Sequence, residues 1–328
     1  MSRQEKEIGV KTVGSQLTPP VAIVGMSNWL DTTAELFHRA EIQCDVLDLP
    51  RTQDVVSMWL FGRWRRFYAF HCVGQVSLAW RIIPLAKVCG RKIAWHWCGT
   101  DVLRLKNKSA GWRDKVFRFC IYRFVDMHVA DSPELAEELR KLGIQASVVR
   151  LLPQRIEAEP LPLPDRCIAL AYWADETKDF YGGNLILQLA EEFPDIEFRI
   201  LRAHGKNEQP QSNVKFLGIR CDMPTVYADS TVLIRLPAHD SLSAMVLEML
   251  ARGRYVIYNK FLEGCYVAKT YEQAKKALAI IQSQTEPNVR GAKFVRETFC
   301  LNGEATKLAK VYKTLLPQAA YAAGKMKI

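Results

Sequence analysis

From residue 20 to about 285, short apolar runs alternate with segments whose apolar residues recur every three to four positions, a pattern of strands alternating with helices. Val21-Ala-Ile-Val-Gly25 reads as a buried strand, Thr32 to Ala40 as a helix and Asp45 to Leu49 as the next strand. The series continues with a strand at Phe67 to Val73, a helix at Val76 to Cys89 stopped by Gly90, and a strand at Lys92 to Trp97. Lys115 to Phe124 predicts a helix and Met127 to Ala130 a strand. Asp131-Ser-Pro-Glu134 starts another helix, with Pro133 in its first turn where a missing N–H is tolerated, and Gly143 ends it.

Leu152 to Arg166 contains Pro153, Pro160, Pro162 and Pro164, a spacing through which neither a helix nor a central strand can run, and it reads as an interdomain linker. A second alternating series follows. Its strands are Cys167 to Tyr172, Ile196 to Leu201, Val214 to Leu217, Ser230 to Arg235, Tyr255 to Tyr258 and a short one near Tyr266. Its helices are Asn184 to Glu192, Met223 to Ala228, Ser243 to Ala251 and Tyr271 to Gln282. Right-handed crossovers between parallel strands make each half a doubly wound sheet that binds ligands at the carboxyl ends of its strands. The expected fold is α/β, two Rossmann-like domains facing across a cleft: a polar tail at 1–19, an acceptor-binding domain at 20–155, a nucleotide-sugar-binding domain at 156–303, and a C-terminal helix at 304–328 that packs back on the first domain.

Composition narrows the class. The chain has 328 residues, 49% hydrophobic and 24% charged, which suits a globular protein of two domains. Nine scattered cysteines include no C-x-x-C pair and fit a reducing compartment, the cytosol. Met1 to Pro20 is too polar for a signal peptide, and the apolar stretch Val73 to Cys89 is broken by Arg81 and Lys87, short of the roughly 20 residues of a membrane span. The net charge of +10 is concentrated: residues 51–123 carry 15 basic and 3 acidic side chains, a field that attracts phosphates on nucleic acid, lipid head groups or diphosphate-linked substrates.

The most informative segment runs from Val232 to Ile257. A strand ends near Pro237, a polar loop carries His239, Asp240 and Ser241, and a helix follows in which Glu248 sits among Met245, Val246, Leu247, Met249 and Leu250. A carboxylate in that setting either faces a polar ligand or lies on the exposed side of an amphipathic helix. The free amides at the helix start suit an anion such as a diphosphate. This region resembles the donor-binding segment of the retaining GT-B glycosyltransferases, whose hallmark is two acids separated by seven residues, here Asp240 and Glu248 with Asp in the first place. Asn213-Val-Lys-Phe-Leu-Gly218 is similar to the strand ending in that family's nucleobase loop, and Asp131 to Gly143 resembles a segment near the end of its acceptor domain, so the likeness covers most of residues 20–285.

The resemblance implies that Glu248 holds the ribose hydroxyls and that Asp240 contacts the donor sugar. Ser241 and Ser243 stand where the family has glycines, beside the diphosphate. Lys178, ahead of Gly182 and Gly183, looks like the family's diphosphate lysine, with an exposed loop lysine as the competing reading. The family's arginine falls near Tyr172 or Trp173, so either a different cation compensates or the donor is bound differently. Gly25, in the loop after the first strand, is a weaker candidate for the donor phosphates, and Gly218 ends the nucleobase strand.

In the first half, Trp95-His-Trp-Cys-Gly-Thr-Asp101 follows a strand and is similar to segments of bacterial polysaccharide glycosyltransferases. That makes His96 and Asp101 acceptor-side candidates, against a structural histidine and a helix-capping aspartate; His71 is weaker. Trp59 to Phe70 mixes aromatics, Trp64 among them, with Arg63, Arg65 and Arg66, which suits docking on an anionic bilayer. Asp175 and Glu176 lack the context of a metal site.

The reading is a metal-independent hexosyltransferase that needs no cofactor and moves a sugar, with retention, from a nucleotide diphosphate sugar to a hydroxyl of a lipid-linked or polysaccharide acceptor. It would work on the cytoplasmic face of the cell membrane. The alternatives are a non-catalytic sugar-nucleotide binder and a nucleic-acid-binding protein using residues 51–123, the latter without any RRM, zinc-finger or helix-turn-helix signature.

Overall fold

A computed structural model describes residues 21–316 except 26, 48–51, 61, 75, 108–110, 207, 209 and 210. The polar tail at 1–19 and the end of the expected C-terminal helix lie outside the described residues. The first half contains β1 (Val21–Gly25), α1 (Ser27–Arg39), β2 (Cys44–Leu47), α2 (Thr52–Leu60), β3 (Ala69–Val73), α3 (Val76–Val88) and β4 (Lys92–Trp97). It continues with α4 (Thr100–Lys106), α5 (Trp112–Phe124), β5 (Met127–Ala130), α6 (Pro133–Lys141) and β6 (Ser147–Val148). Every strand pair is parallel and the order is β2-β1-β3-β4-β5-β6. At the start of α6 the Ser132 hydroxyl accepts the Leu135 N–H at 3.2 Å, and Pro133 occupies the first turn.

The second half contains β7 (Ile168–Trp173), α7 (Gly183–Glu192), β8 (Glu197–Arg202), β9 (Val214–Gly218), α8 (Met223–Ala228) and β10 (Val232–Arg235). After these come α9 (Ala244–Ala251), β11 (Tyr255–Tyr258), β12 (Tyr266–Val267), α10 (Tyr271–Gln282), α11 (Val289–Thr298) and α12 (Leu301–Tyr312). Its sheet is also parallel, ordered β12-β11-β10-β7-β8-β9. The chain winds outward in both directions from β7, so the carboxyl ends of β7 and β10 flank the switch point where such sheets bind ligands.

Strand parity sorts the core into layers. On one face of the first sheet, Ile93, Trp95 and Trp97 of β4 pack with Ile83 of α3, Phe117 and Ile121 of α5 and Leu139 of α6. On the other face, Ala94 packs with Phe37 of α1 and with Leu308 and Tyr312 of α12. The last helix therefore closes the N-terminal core. In the second half α7 and α10 cover one face, and α8, α9 and α11 the other, where Leu152 and Ile156 of the linker join them.

The proline-rich linker is fixed by one buried side chain. The Arg254 guanidinium donates to the carbonyls of Leu161 (3.1 Å), Pro162 (2.7 Å), Tyr227 (3.3 Å) and Ala228 (2.7 Å). Proline backbones leave carbonyls without helical or sheet partners, and a planar cation with five N–H groups satisfies several at once.

Candidate active site

Arg235 is the last residue of β10 and stands at the switch point. Its guanidinium carbon lies 5.3 Å from the centre of the Tyr181 ring and 6.0 Å from that of Tyr172, which is in β7. An arginine from the neighbouring strand thus lies against Tyr172, the residue near which the sequence has no arginine of its own. Arg235 Nε donates to Asp240 Oδ2 at 2.8 Å, and the Tyr258 hydroxyl donates to the same oxygen at 3.2 Å. Burial works against the Arg235 charge, but the Asp240 carboxylate outweighs it and raises the pKa further. The Tyr258 hydroxyl is pushed well up by burial and then by Asp240. Lys260 Nζ donates to the Asp240 carbonyl and Asn259 Nδ2 to that of Pro237, so the loop carrying Asp240 is held from β11's carboxyl end.

Around this core lie three buried polar atoms without a partner among the described residues: Ser241 Oγ, His239 Nδ1 and Asn259 Oδ1. A buried hydroxyl, imidazole or amide left unpaired costs about 1–3 kcal/mol, so three in neighbouring loops at the ends of β10 and β11 mark a place built to bind something polar. Ser243 precedes α9 and makes no side-chain capping bond.

Lys178 lies between two short 3₁₀ turns, Asp175–Thr177 and Asp179–Tyr181, in the loop after β7. Its Nζ is 2.6 Å from Glu208 Oε2. The glycines that follow it are required: Gly182 has φ 72°, and a Cβ on Gly183 would sit 2.5 Å from Lys178 Cγ. Lys178 therefore packs directly on the first turn of α7. Asp175 accepts the N–H groups of His204 and Gly205, which accounts for it as a loop brace. Gly218 ends β9 with its backbone against the His204 ring, and Gly25 ends β1 beside Val73 of β3.

Glu248, in the second turn of α9, is 3% exposed, and its Oε2 accepts the Tyr227 hydroxyl at 2.7 Å. It is not on the exposed side of the helix.

The N-terminal domain meets this region along a seam. Gly99, with φ 121°, lies so close that a Cβ would stand 3.3 Å from Ser241 N, and His239 Nε2 is 3.2 Å from both oxygens of Glu138. Asp101, buried one residue into α4, accepts the N–H groups of Cys98, Gly99 and Val102, so it holds the Gly99 loop in shape, as a capping residue does. Burial pushes its carboxyl up to about 6 against the Cys98 and Gly99 N–H groups and the Trp95 side chain.

His96 is a correction to the sequence reading. It lies inside β4, and its parity points it at the α1 and α12 layer. Its Nδ1 is 3.2 Å from His71 Nε2 and its Nε2 is 2.9 Å from the Val149 carbonyl, while His71 Nδ1 is 2.8 Å from the Tyr312 hydroxyl. Burial lowers the pKa of His96 to about 4, and burial and then His96 lower that of His71. Both rings are neutral core groups with both nitrogens occupied, and neither reaches the seam. Trp64 is a second correction: it is fully buried and stacks on Phe70 at 4.6 Å. Of the neighbouring arginines, Arg66 pairs with Asp45 at 2.8 Å, and Arg63 and Arg65 are exposed.

The sequence did not single out Asp131. It follows β5 at the carboxyl edge of the sheet, is buried, and accepts the Leu151 N–H at 2.6 Å. Burial pushes its carboxyl up to about 7 against Leu151 and Arg150, with Asp240 across the seam and Glu304 pushing the same way. Its place just past a parallel strand was the available signal. Among the described residues no three His, Cys, Asp or Glu side chains are grouped to hold a metal ion.

No family model matches the sequence, and no curated protein does. Solved structures do match. The Anabaena protein HepE, in complex with UDP and glucose, superposes with a TM-score of 0.70 at 9% identity, over 90% of this chain and 100% of that one. Sucrose-phosphate synthase from Thermosynechococcus elongatus gives 0.69 at 12% identity, over 93% and 100%. UDP-GlcNAc 2-epimerase from Neisseria meningitidis, bound to UDP-GlcNAc, gives 0.52 at 12% identity, over 90% and 98%. The chain has the GT-B fold of two Rossmann-like domains expected from its sequence.

Proposed function

We propose that this protein is a metal-independent glycosyltransferase, needing no cofactor, that transfers a hexose from a UDP-type donor to a hydroxyl of a lipid-linked or polysaccharide acceptor, with retention of configuration. The observation that carries the reading is Arg235 at the switch point, stacked on Tyr172 and Tyr181 and bordered by the unpaired Ser241 Oγ, His239 Nδ1 and Asn259 Oδ1. A fixed cation beside unsatisfied donors and acceptors, all largely buried, suits an anionic diphosphate next to a hydroxylated sugar. UDP and glucose in the HepE complex agree with that chemistry.

In this assignment Arg235 and Lys178 stabilise the charge that develops on the diphosphate, the largest catalytic term available without a metal. The bond from the anomeric carbon to the phosphate oxygen breaks as the bond to the acceptor oxygen forms on the same face, and the acceptor proton passes to the departing phosphate. Asp240, oriented by Arg235 and Tyr258, contacts the donor sugar; Ser241 and Ser243 face the diphosphate and Glu248 the ribose. The Gly99 loop, shaped by Asp101, forms the acceptor side in place of His96. The seam, tied by Glu138 and His239, keeps water from the donor.

The test is turnover. UDP-glucose or a related donor should be consumed with a hydroxylated acceptor, Asp240→Ala should lower transfer by about ten- to a hundredfold, and Glu248→Ala should chiefly weaken nucleotide binding. Full activity in both variants would remove the assignment. The fold is shared with a UDP-GlcNAc 2-epimerase, so sugar inversion at C2 without an acceptor would favour that chemistry, and nucleotide binding without any turnover would favour a pure binder.

A further inference from the structure

The basic N-terminal half presents one surface that neither core nor seam uses. On α5, Phe117, Cys120 and Ile121 face inward and pack on Trp95 and the rest of the sheet. At 100° per residue, Trp112, Lys115, Phe119, Tyr122 and Arg123 fall within about a quarter of the helix circumference on the opposite side. Trp112 and Phe119 are 60% exposed and Tyr122 50%. Lys115, Arg118, Phe119, Tyr122 and Arg123 line a shallow depression on this face. The rings are held in place: the Tyr122 hydroxyl donates to the Leu142 carbonyl at 2.9 Å, Phe119 meets Phe124 edge to face at 5.5 Å, and the Arg113 guanidinium lies 5.5 Å from the Trp112 ring.

We infer that this face of α5 docks on an anionic lipid bilayer, with Trp112, Phe119 and Tyr122 at the interface and Lys115 and Arg123 on the head-group charges. Aromatic rings with a polar edge and long cationic side chains suit that boundary. The only acid on α5 is Asp114, which pairs with Arg104 of α4 at 3.5 Å and lies off the stripe. A second copy is the poorer occupant, because a two-fold contact would bring Lys115 and Arg123 against their own counterparts with no acid between them. Trp64 is buried, so the segment around Arg63 lacks the aromatic half of such a surface. The transferase reading gains from the placement, since α4 runs from α5 to the Gly99 loop, but docking itself is read without any nucleotide.

The test is sedimentation of the full chain with phosphatidylcholine vesicles with and without phosphatidylglycerol. The expected result is binding to the anionic vesicles alone, weakened by salt. Lys115→Gln with Arg123→Gln should lower the partition coefficient about 30-fold, and Trp112→Ser with Phe119→Ser about tenfold or more. All these side chains are exposed, so unchanged melting temperatures should accompany both variants. Arg63→Gln with Arg65→Gln removes the same charge elsewhere and should cost under about threefold. The inference is overturned if the wild type does not bind, if it binds neutral vesicles equally, or if the Arg63 and Arg65 variant loses as much. A lipid-free dimer dissolved by Phe119→Ser would also overturn it, giving the face to a second copy.

Discussion

Asp131→Asn isolates the buried carboxyl that the sequence passed over. The folded protein holds this group up to about 7, chiefly through burial, whereas a carboxyl in an unfolded chain titrates near 4. Because the folded value is the higher, the folded state binds the proton more tightly; stability is fully kept below about pH 4 and lost as the pH rises towards 7. From pH 5 to 8 the loss runs at about 1.4 kcal/mol per unit at first and levels off through pH 7 as the folded carboxyl ionises, about 3 kcal/mol in all. Asparagine is isosteric, keeps an oxygen for the Leu151 N–H and carries no charge, so it removes the titration and little else. Thermal melts at pH 5, 6, 7 and 8 should show the variant gaining on the wild type by about 3 kcal/mol, roughly 5–10 °C for a domain of this size. An offset between the two proteins that does not change with pH would refute the reasoning.

Two further outcomes follow from single contacts. Arg254→Met removes the guanidinium that the carbonyls of Leu161, Pro162 and Ala228 accept from, and one of the donors to that of Tyr227, and should destabilise the protein by about 2–4 kcal/mol in urea; a loss below about 0.5 kcal/mol would mean the linker is held otherwise. Glu208 pairs with Lys178, which a diphosphate would have to claim, so Glu208→Gln should tighten UDP binding about two- to fivefold and leave uridine binding unchanged. Weaker UDP binding would show instead that Glu208 organises the site.

The parallel αβ pattern was legible because buried strands are short, apolar and punctuated, and β1, β4, β5 and β7 lie where the periodicity places them. The site was read less evenly. The loop after β10 stands out by chemistry, since Asp240 and its serines interrupt an apolar stretch. His96 was misplaced because a strand's face depends on parity: the strand was read through to Trp97, but its alternation, which turns His96 towards α12 with Ala94, was not applied to the histidine. No local pattern announces that Tyr312, 241 residues from its partner His71, will close that face. Arg235 was invisible for the same reason, because its stacking on Tyr172 and Tyr181 joins two strands that are distant in sequence. α4 is short and α5 begins at Trp112, a turn earlier than periodicity placed it, which hid the exposed stripe.

The central claim is that Arg235 at the switch point grips a nucleotide diphosphate. Isothermal titration of UDP and UMP into the wild type and Arg235→Met tests it directly. UDP should bind the wild type and lose about ten- to a hundredfold in the variant, the cost of a charged hydrogen bond, while UMP changes far less. UDP that does not bind, or that binds both proteins equally, would contradict it.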